Sequence, residues 1–126
     1  MKKSSLQNPL HWFDLRGRHF GNWAFVLNRL TALALTFYLI VHLIVLTKLT
    51  QGSAAYDDFV AFAQLPLIKL GEILLIAAVL LHGLNGLRLI FLAFGLGVRQ
   101  QKWLFVFVMV FTFLLVCLFA LRMFGE

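Results

Sequence analysis

Three long apolar runs constrain this chain more than any other feature. The first extends from about Trp23 to Thr47, the second from about Leu67 to Gly97, and the third from about Trp103 to Met123. Each exceeds the roughly 20 residues that cross the hydrocarbon core of a bilayer. Membrane-spanning strands are half that length and alternate in polarity, and none of these runs alternates. The spans are therefore predicted to be helices, which satisfy their own backbone hydrogen bonds where lipid offers none. Composition agrees: 62% of the residues are hydrophobic and only 13% are charged, against about 25% in a soluble domain. That balance excludes intrinsic disorder and argues against a soluble globular domain. The predicted fold is an all-α membrane protein of three transmembrane helices, a single domain over residues 1–126.

Charge placement predicts orientation. Residues 1–22 form a polar, amphiphilic arm without the apolar stretch of a signal peptide. Lys2, Lys3, Arg16 and Arg18 precede the first span, and Arg99 and Lys102 lie between the second and third. Lys48, Lys69 and Arg122 fall on the other side, offset by Asp57, Asp58 and Glu126. The positive-inside rule then puts the arm in the cytoplasm and the C-terminus outside, with Trp23 and Trp103 at one cytoplasmic interface. The net charge of +6 is explained by this asymmetry and needs no nucleic-acid partner. Cys117 stands alone and reads as a small buried hydrophobe. Pro66 is placed to start a helix, Gly52-Ser53 to make a turn, and Gly95 and Gly97 to close the second span.

Ionisable residues inside spans are costly and usually functional. Here they are Arg29, His42, His82 and Arg88, accompanied by Asn28 and Asn85. At 100° per residue, Asn28, Thr31, Leu35, Tyr38 and His42 share one stripe of the first helix. Gly71, Leu75, Ala78, His82, Gly86, Leu89 and Ala93 share one stripe of the second, with Asn85 at its edge. Small residues beside His82 allow something flat or helical to approach closely. A proton relay wants carboxylates, and only Glu72 lies near a span, at its outer end. Zinc wants three or four clustered ligands, which are absent from the sequence pattern. Haem b needs axial imidazoles, an apolar slot and cations for its propionates. His42 and His82 could be axial ligands, and Arg29 and Arg88 could face propionates. The alternative for each histidine is a packing role, bonded to a neighbouring helix. If Arg29 and Arg88 mark similar levels, His42 is about 20 Å deeper than its Arg and His82 about 9 Å deeper than its own. The two histidines would then serve different irons, each completed by a ligand from another polypeptide.

The run His82-Gly83-Leu84-Asn85-Gly86-Leu87-Arg88 resembles the H-x-x-x-G-x-R pattern of the cytochrome b membrane-anchor subunits of succinate dehydrogenase and fumarate reductase. Asn28-Arg29-Leu30-Thr31 resembles the H-R-x-[ST] element of their first helix. Trp12-Phe13-Asp14-Leu15-Arg16-Gly17-Arg18 and Trp23 to Arg29 look like the prokaryotic branch with split, two-haem anchors, in which a further histidine stands where His42 does. The resemblance covers roughly residues 9–95. It implies half of a larger haem-binding bundle in a prokaryotic cell (inner) membrane. One or two haems b would be shared with a second anchor subunit. An iron–sulfur subunit and a flavoprotein subunit would complete the complex, and quinone would be the substrate. The chain would carry no succinate chemistry itself. Arg16 and Arg18 could dock the iron–sulfur subunit, although topology alone also accounts for them. Asn28, Phe25, Leu89 and Ala93 stand where another branch has His, Ser, His and Asp, so its quinone pocket is not carried over. Quinone-site candidates from the residues themselves are Trp23, Asn28, Arg29 and Thr31. Other classes compatible with the sequence are a cofactor-free assembly subunit and another small b-type cytochrome. A small transporter is disfavoured by the lack of intramembrane carboxylates and broken helices.

Overall fold

A computed structural model describes residues 20–125, and the described residues form helices without any strand. The sequence readings on residues 1–19, including the docking pair Arg16 and Arg18 and the Trp12–Arg18 element, lie outside the described residues. Helix α1 covers Phe20–Leu46 and runs into a 3-10 turn at Thr47–Gln51. Helix α2 covers Ser53–Ala63, α3 covers Pro66–Ala93, and α4 covers Gln101–Gly125 after a second 3-10 turn at Val98–Gln100. Helices α1, α3 and α4 are 27, 28 and 25 residues long, each about 38–42 Å at 1.5 Å per residue. All three are long and apolar enough to span a membrane.

Local chemistry sets the boundaries. Leu65 is extended (ψ 136°) and Pro66 occupies the first turn of α3, where its missing N–H is one that no helix partner would use. The other end of α3 stops four residues short of Gly97. The N–H of Leu96 donates to the Phe91 carbonyl (2.9 Å) and that of Gly95 to the Leu92 carbonyl (3.0 Å), with Gly95 at φ 77°. This is a Schellman closure, which requires a left-handed residue after the helix. Gly97 is left-handed too (φ 72°), and a Cβ there would lie 2.8 Å from Leu104 Cδ1. The short turn thus folds α4 directly back on α3. Helix α2 was not anticipated from the sequence, which marks only a turn and a proline on either side of it.

Helix α3 is the middle element, packed against α1 on one side and α4 on the other, while α1 and α4 touch little. The three crossings place the start of α1 and the α3–α4 turn at one end, here the near end, and α2 with the end of α4 at the far end. At the far end Lys69 Nζ donates to the Met123 carbonyl (3.3 Å), a cation on the last, unpaired carbonyls of α4. Very little apolar side chain is buried: Ala24, Phe105 and Val108 are the buried hydrophobic residues among those described. Leucine, phenylalanine and valine instead cover the outside, as suits a chain whose solvent is lipid or other helices.

The centre is polar. Asn85 and Ala24 are both fully buried, and Asn85 Nδ2 donates to the Ala24 carbonyl at 2.7 Å. Ala24 has no side chain beyond Cβ to keep the helices apart, so an amide from α3 reaches the backbone of α1. Substituting Asn85 by Ala should destabilise the helix assembly by about 1–2 kcal/mol, the upper range for interhelical hydrogen bonds in membranes. Unfolding titrations in detergent micelles would measure it, and a wild-type midpoint would show that this bond holds nothing.

Candidate functional site

The seam between α1 and α3 collects the polar residues. Ala24, Asn28, Thr31 and His42 recur on one face of α1, and Ala24 and Thr31 are buried there. On α3, His82 precedes Asn85 by three residues, so both reach α1 from the same side. His82 Nδ1 lies 3.1 Å from the Asn28 carbonyl and 3.4 Å from Thr31 Oγ1. The Thr31 hydroxyl lies within donor range of the Leu27 (2.9 Å) and Asn28 (3.0 Å) carbonyls. No partner for His82 Nε2 occurs among the described residues. A methyl at Gly83 would meet nothing, and one at Gly86 would touch only Asn28 Oδ1, at 3.8 Å. Packing among the described residues therefore does not require a glycine at either position. Asn28 Oδ1 itself is buried without a hydrogen-bond partner.

Arg88, 4% exposed, occupies the near end. Its Nε and Nη2 donate to the Gln101 carbonyl (3.2 and 3.0 Å), and Nη1 donates to Asn85 Oδ1 (3.4 Å). The guanidinium carbon also lies 5.4 Å from the centroid of the Phe105 ring. These acceptors are neutral, so the cation is held without being neutralised. Arg29 is exposed, its guanidinium 4.3 Å from the Phe25 ring centroid. Helix register revises one premise of the sequence reading. Since Ala24 faces Asn85 and Asn28 faces His82, Arg29 stands near the level of His82. Arg88 lies six residues nearer the end, about 9 Å away. The two arginines do not mark one level. His42 is 11 residues beyond Thr31, about 16 Å further along α1, so the two histidines remain at different depths.

His42 sits in a second environment. Its Nδ1 is 3.2 Å from the Tyr38 hydroxyl, and the two rings stack at 5.4 Å between centroids. They face an open, mainly apolar cavity of about 530 Å³ bounded by α1, α2 and α3, with Phe59, Phe62, Gly71 and Glu72 on its wall. The candidates for a quinone pocket separate: Thr31 is turned into the seam, Asn28 Oδ1 is buried against Gly86, and Trp23 and Arg29 are exposed. Among the described residues no three His, Cys, Asp or Glu side chains cluster as a metal site, so each histidine could supply one axial position and no more. The residues fit haem in that limited sense. His82 has a free Nε2 beside two glycines, Arg88 is an un-neutralised cation within two turns, and His42 has an apolar cavity.

Fold and seam together define a small three-span membrane subunit whose polar groups are gathered on inner faces and whose apolar exterior is left for lipid and neighbours. Sequence comparison gives the family. The model described as "Succinate dehydrogenase/Fumarate reductase transmembrane subunit" matches residues 4–119. The chain belongs to that family and is a multi-pass membrane protein. It is 34% identical over 93 residues to the succinate dehydrogenase hydrophobic membrane anchor subunit of Halobacterium salinarum, covering 73% of this chain and 72% of that one. It is 35% identical over 83 residues to the succinate dehydrogenase 2 membrane subunit SdhC of Mycobacterium tuberculosis, covering 65% of this chain and 61% of that one.

The contact between Arg88 and Gln101 uses the planar fork of arginine. Arg88→Lys keeps the charge but cannot make the same two-pronged contact. It should cost about 1.5–3 kcal/mol, the range for charge-assisted bonds. Amide hydrogen exchange should rise at residues 94–101 and stay unchanged at the centre of α3. Equal protection of the turn in both proteins would remove the clamp.

Proposed function

We propose that this succinate dehydrogenase anchor subunit binds haem b and conveys electrons from an iron–sulfur subunit to membrane quinone. One observation carries the reading: His82 has its Nδ1 fastened to the α1 backbone, its Nε2 without a partner among the described residues, and bare backbone at Gly83 and Gly86 beside it. A histidine that only packed two helices together would not need the bare backbone beside it. Bound haem would supply one-electron transfer. His82 and His42 would hold two such groups at different depths, with the opposite ligands coming from a second anchor subunit. Arg88 would add positive charge near the propionates of the group held by His82, and Arg29 is the second candidate for that role.

The positive-inside asymmetry would set the near end in the cytoplasm, where the iron–sulfur and flavoprotein subunits would dock. Quinone would then be reduced near that interface. Arg29 and Trp23 are the exposed candidates, and Arg29 can donate to a carbonyl that gains negative charge on reduction. Thr31 and Asn28 would act from behind, through the α1–α3 seam.

In the assembled complex, His82→Ala and His42→Ala should each remove one low-spin b-type haem, measured by pyridine haemochrome content and reduced-minus-oxidised spectra. A wild-type complex without b-type absorbance would leave the chain as a structural anchor. Arg29→Lys separates the two roles of Arg29. Loss of quinone reduction with haem content and succinate-to-dye activity intact would place Arg29 at the quinone. Normal quinone turnover would exclude it.

A further inference from the structure

Among the described residues the imidazole of His82 meets two acceptors and no donor that remains available. A backbone carbonyl can only accept, so the 3.1 Å contact between His82 Nδ1 and the Asn28 carbonyl requires the proton on Nδ1. An unprotonated Nδ1 would set two lone pairs against each other. Thr31 Oγ1, 3.4 Å from the same nitrogen, is consistent with this. Its own proton has the Leu27 and Asn28 carbonyls to serve, at 2.9 and 3.0 Å, which leaves its lone pair toward the ring. A β-branched residue in a helix is stiff about χ1, and threonine's hydroxyl can bond back to preceding carbonyls. The hydroxyl is therefore fixed to α1 before the ring arrives. Thr31 is buried, so no water competes with it.

We infer that Thr31 is a positioning residue for His82. The Asn28 carbonyl fixes the Nδ1–H tautomer and leaves the lone pair on Nε2; Thr31 brackets the same Nδ1 from the other side and sets the plane of the ring. The tautomer belongs to the chain itself. Its use in orienting an axial ligand rests on the reading that His82 binds haem. A bonded outer nitrogen controls ligand basicity and ring orientation at metal sites in general.

The experiment has two arms. In the full chain without haem, reconstituted in nanodiscs with 15N-histidine, the His82 resonances are identified by their absence in His82→Ala. They should show a protonated Nδ1 and an unprotonated Nε2. Thr31→Val should keep the proton on Nδ1, held there by the Asn28 carbonyl, and broaden the signal as the ring loses its second contact, and Thr31→Ser, which restores the hydroxyl, should recover the wild-type line. In the haem-loaded complex, Thr31→Val should shift the highest g value of the low-spin signal and the midpoint potential of the haem lost in His82→Ala, with haem stoichiometry unchanged. Thr31→Ser should shift neither. An unprotonated Nδ1 in the wild-type chain would overturn the inference, as would Thr31→Val leaving line width, g value and potential at their wild-type values. If His82→Ala keeps its full haem content, the haem reading falls, and the tautomer is still decided by the first arm.

Discussion

One buried amide holds this fold in register. Asn85 has no exposed surface, gives a proton to the Ala24 carbonyl of α1 and accepts one from Arg88, which in turn grips the first residue of α4. Four groups in series thus connect all three spans. In water such a chain would compete with solvent at every step. In a bilayer there is no such competitor, and apolar side chains have nothing to gain by leaving lipid for each other. That is why so few hydrophobic residues are buried, while Thr31, Asn85, Arg88 and Thr112 are buried polar residues. The positions of His82 and Thr31 follow from the same register, since Asn85 opposite Ala24 brings His82 opposite Asn28.

The spans were legible because their cause is one-dimensional. A run of apolar residues of sufficient length needs no partner to be recognised. The polar stripe of α1 was legible for a similar reason: a 3.6-residue period is written in the sequence, and Thr31 does face α3. Pair geometry was not legible. Asn85 was assigned to the edge of its stripe, yet it is the most buried polar residue described, because α3 is gripped from two sides and its inner face is wider than one stripe. A common level for the two arginines is only a condition in the sequence, and helix register is decided by Asn85 and Ala24 rather than by charge. Arg88 projects to the turn, and Arg29 lies on the outside of α1. Helix α2 escaped notice because it is only 11 residues long, too short to give a spanning signal.

Family membership gives the exposed surface a meaning. Side chains such as Phe37, Leu67, Phe94, Trp103 and Leu121 are more than two-thirds exposed, and a three-helix layer cannot enclose them. An anchor subunit of succinate dehydrogenase works within a larger assembly, so part of this surface faces other subunits and part faces lipid. The inner polar groups are correspondingly incomplete. Among the described residues Arg88 has no counter-charge among its partners, Asn28 Oδ1 is an acceptor without a donor, and on the proposed function each histidine would offer one ligand.

The two histidines are prepared in different ways, and the difference lies in what each is bonded to. His82 leans on a backbone carbonyl of another helix, in a seam fixed by Asn85, so its ring cannot turn unless α1 and α3 separate. His42 leans on Tyr38, a side chain of its own helix one turn earlier, and both border a cavity whose wall includes the short helix α2. A phenol can donate or accept, so this contact leaves the tautomer of His42 unset. On the proposed function, a rigid imidazole at mid-span of α3 and an adjustable one toward the far end would suit two sites tuned by different means: the first by the register of two helices, the second by its occupant and by α2.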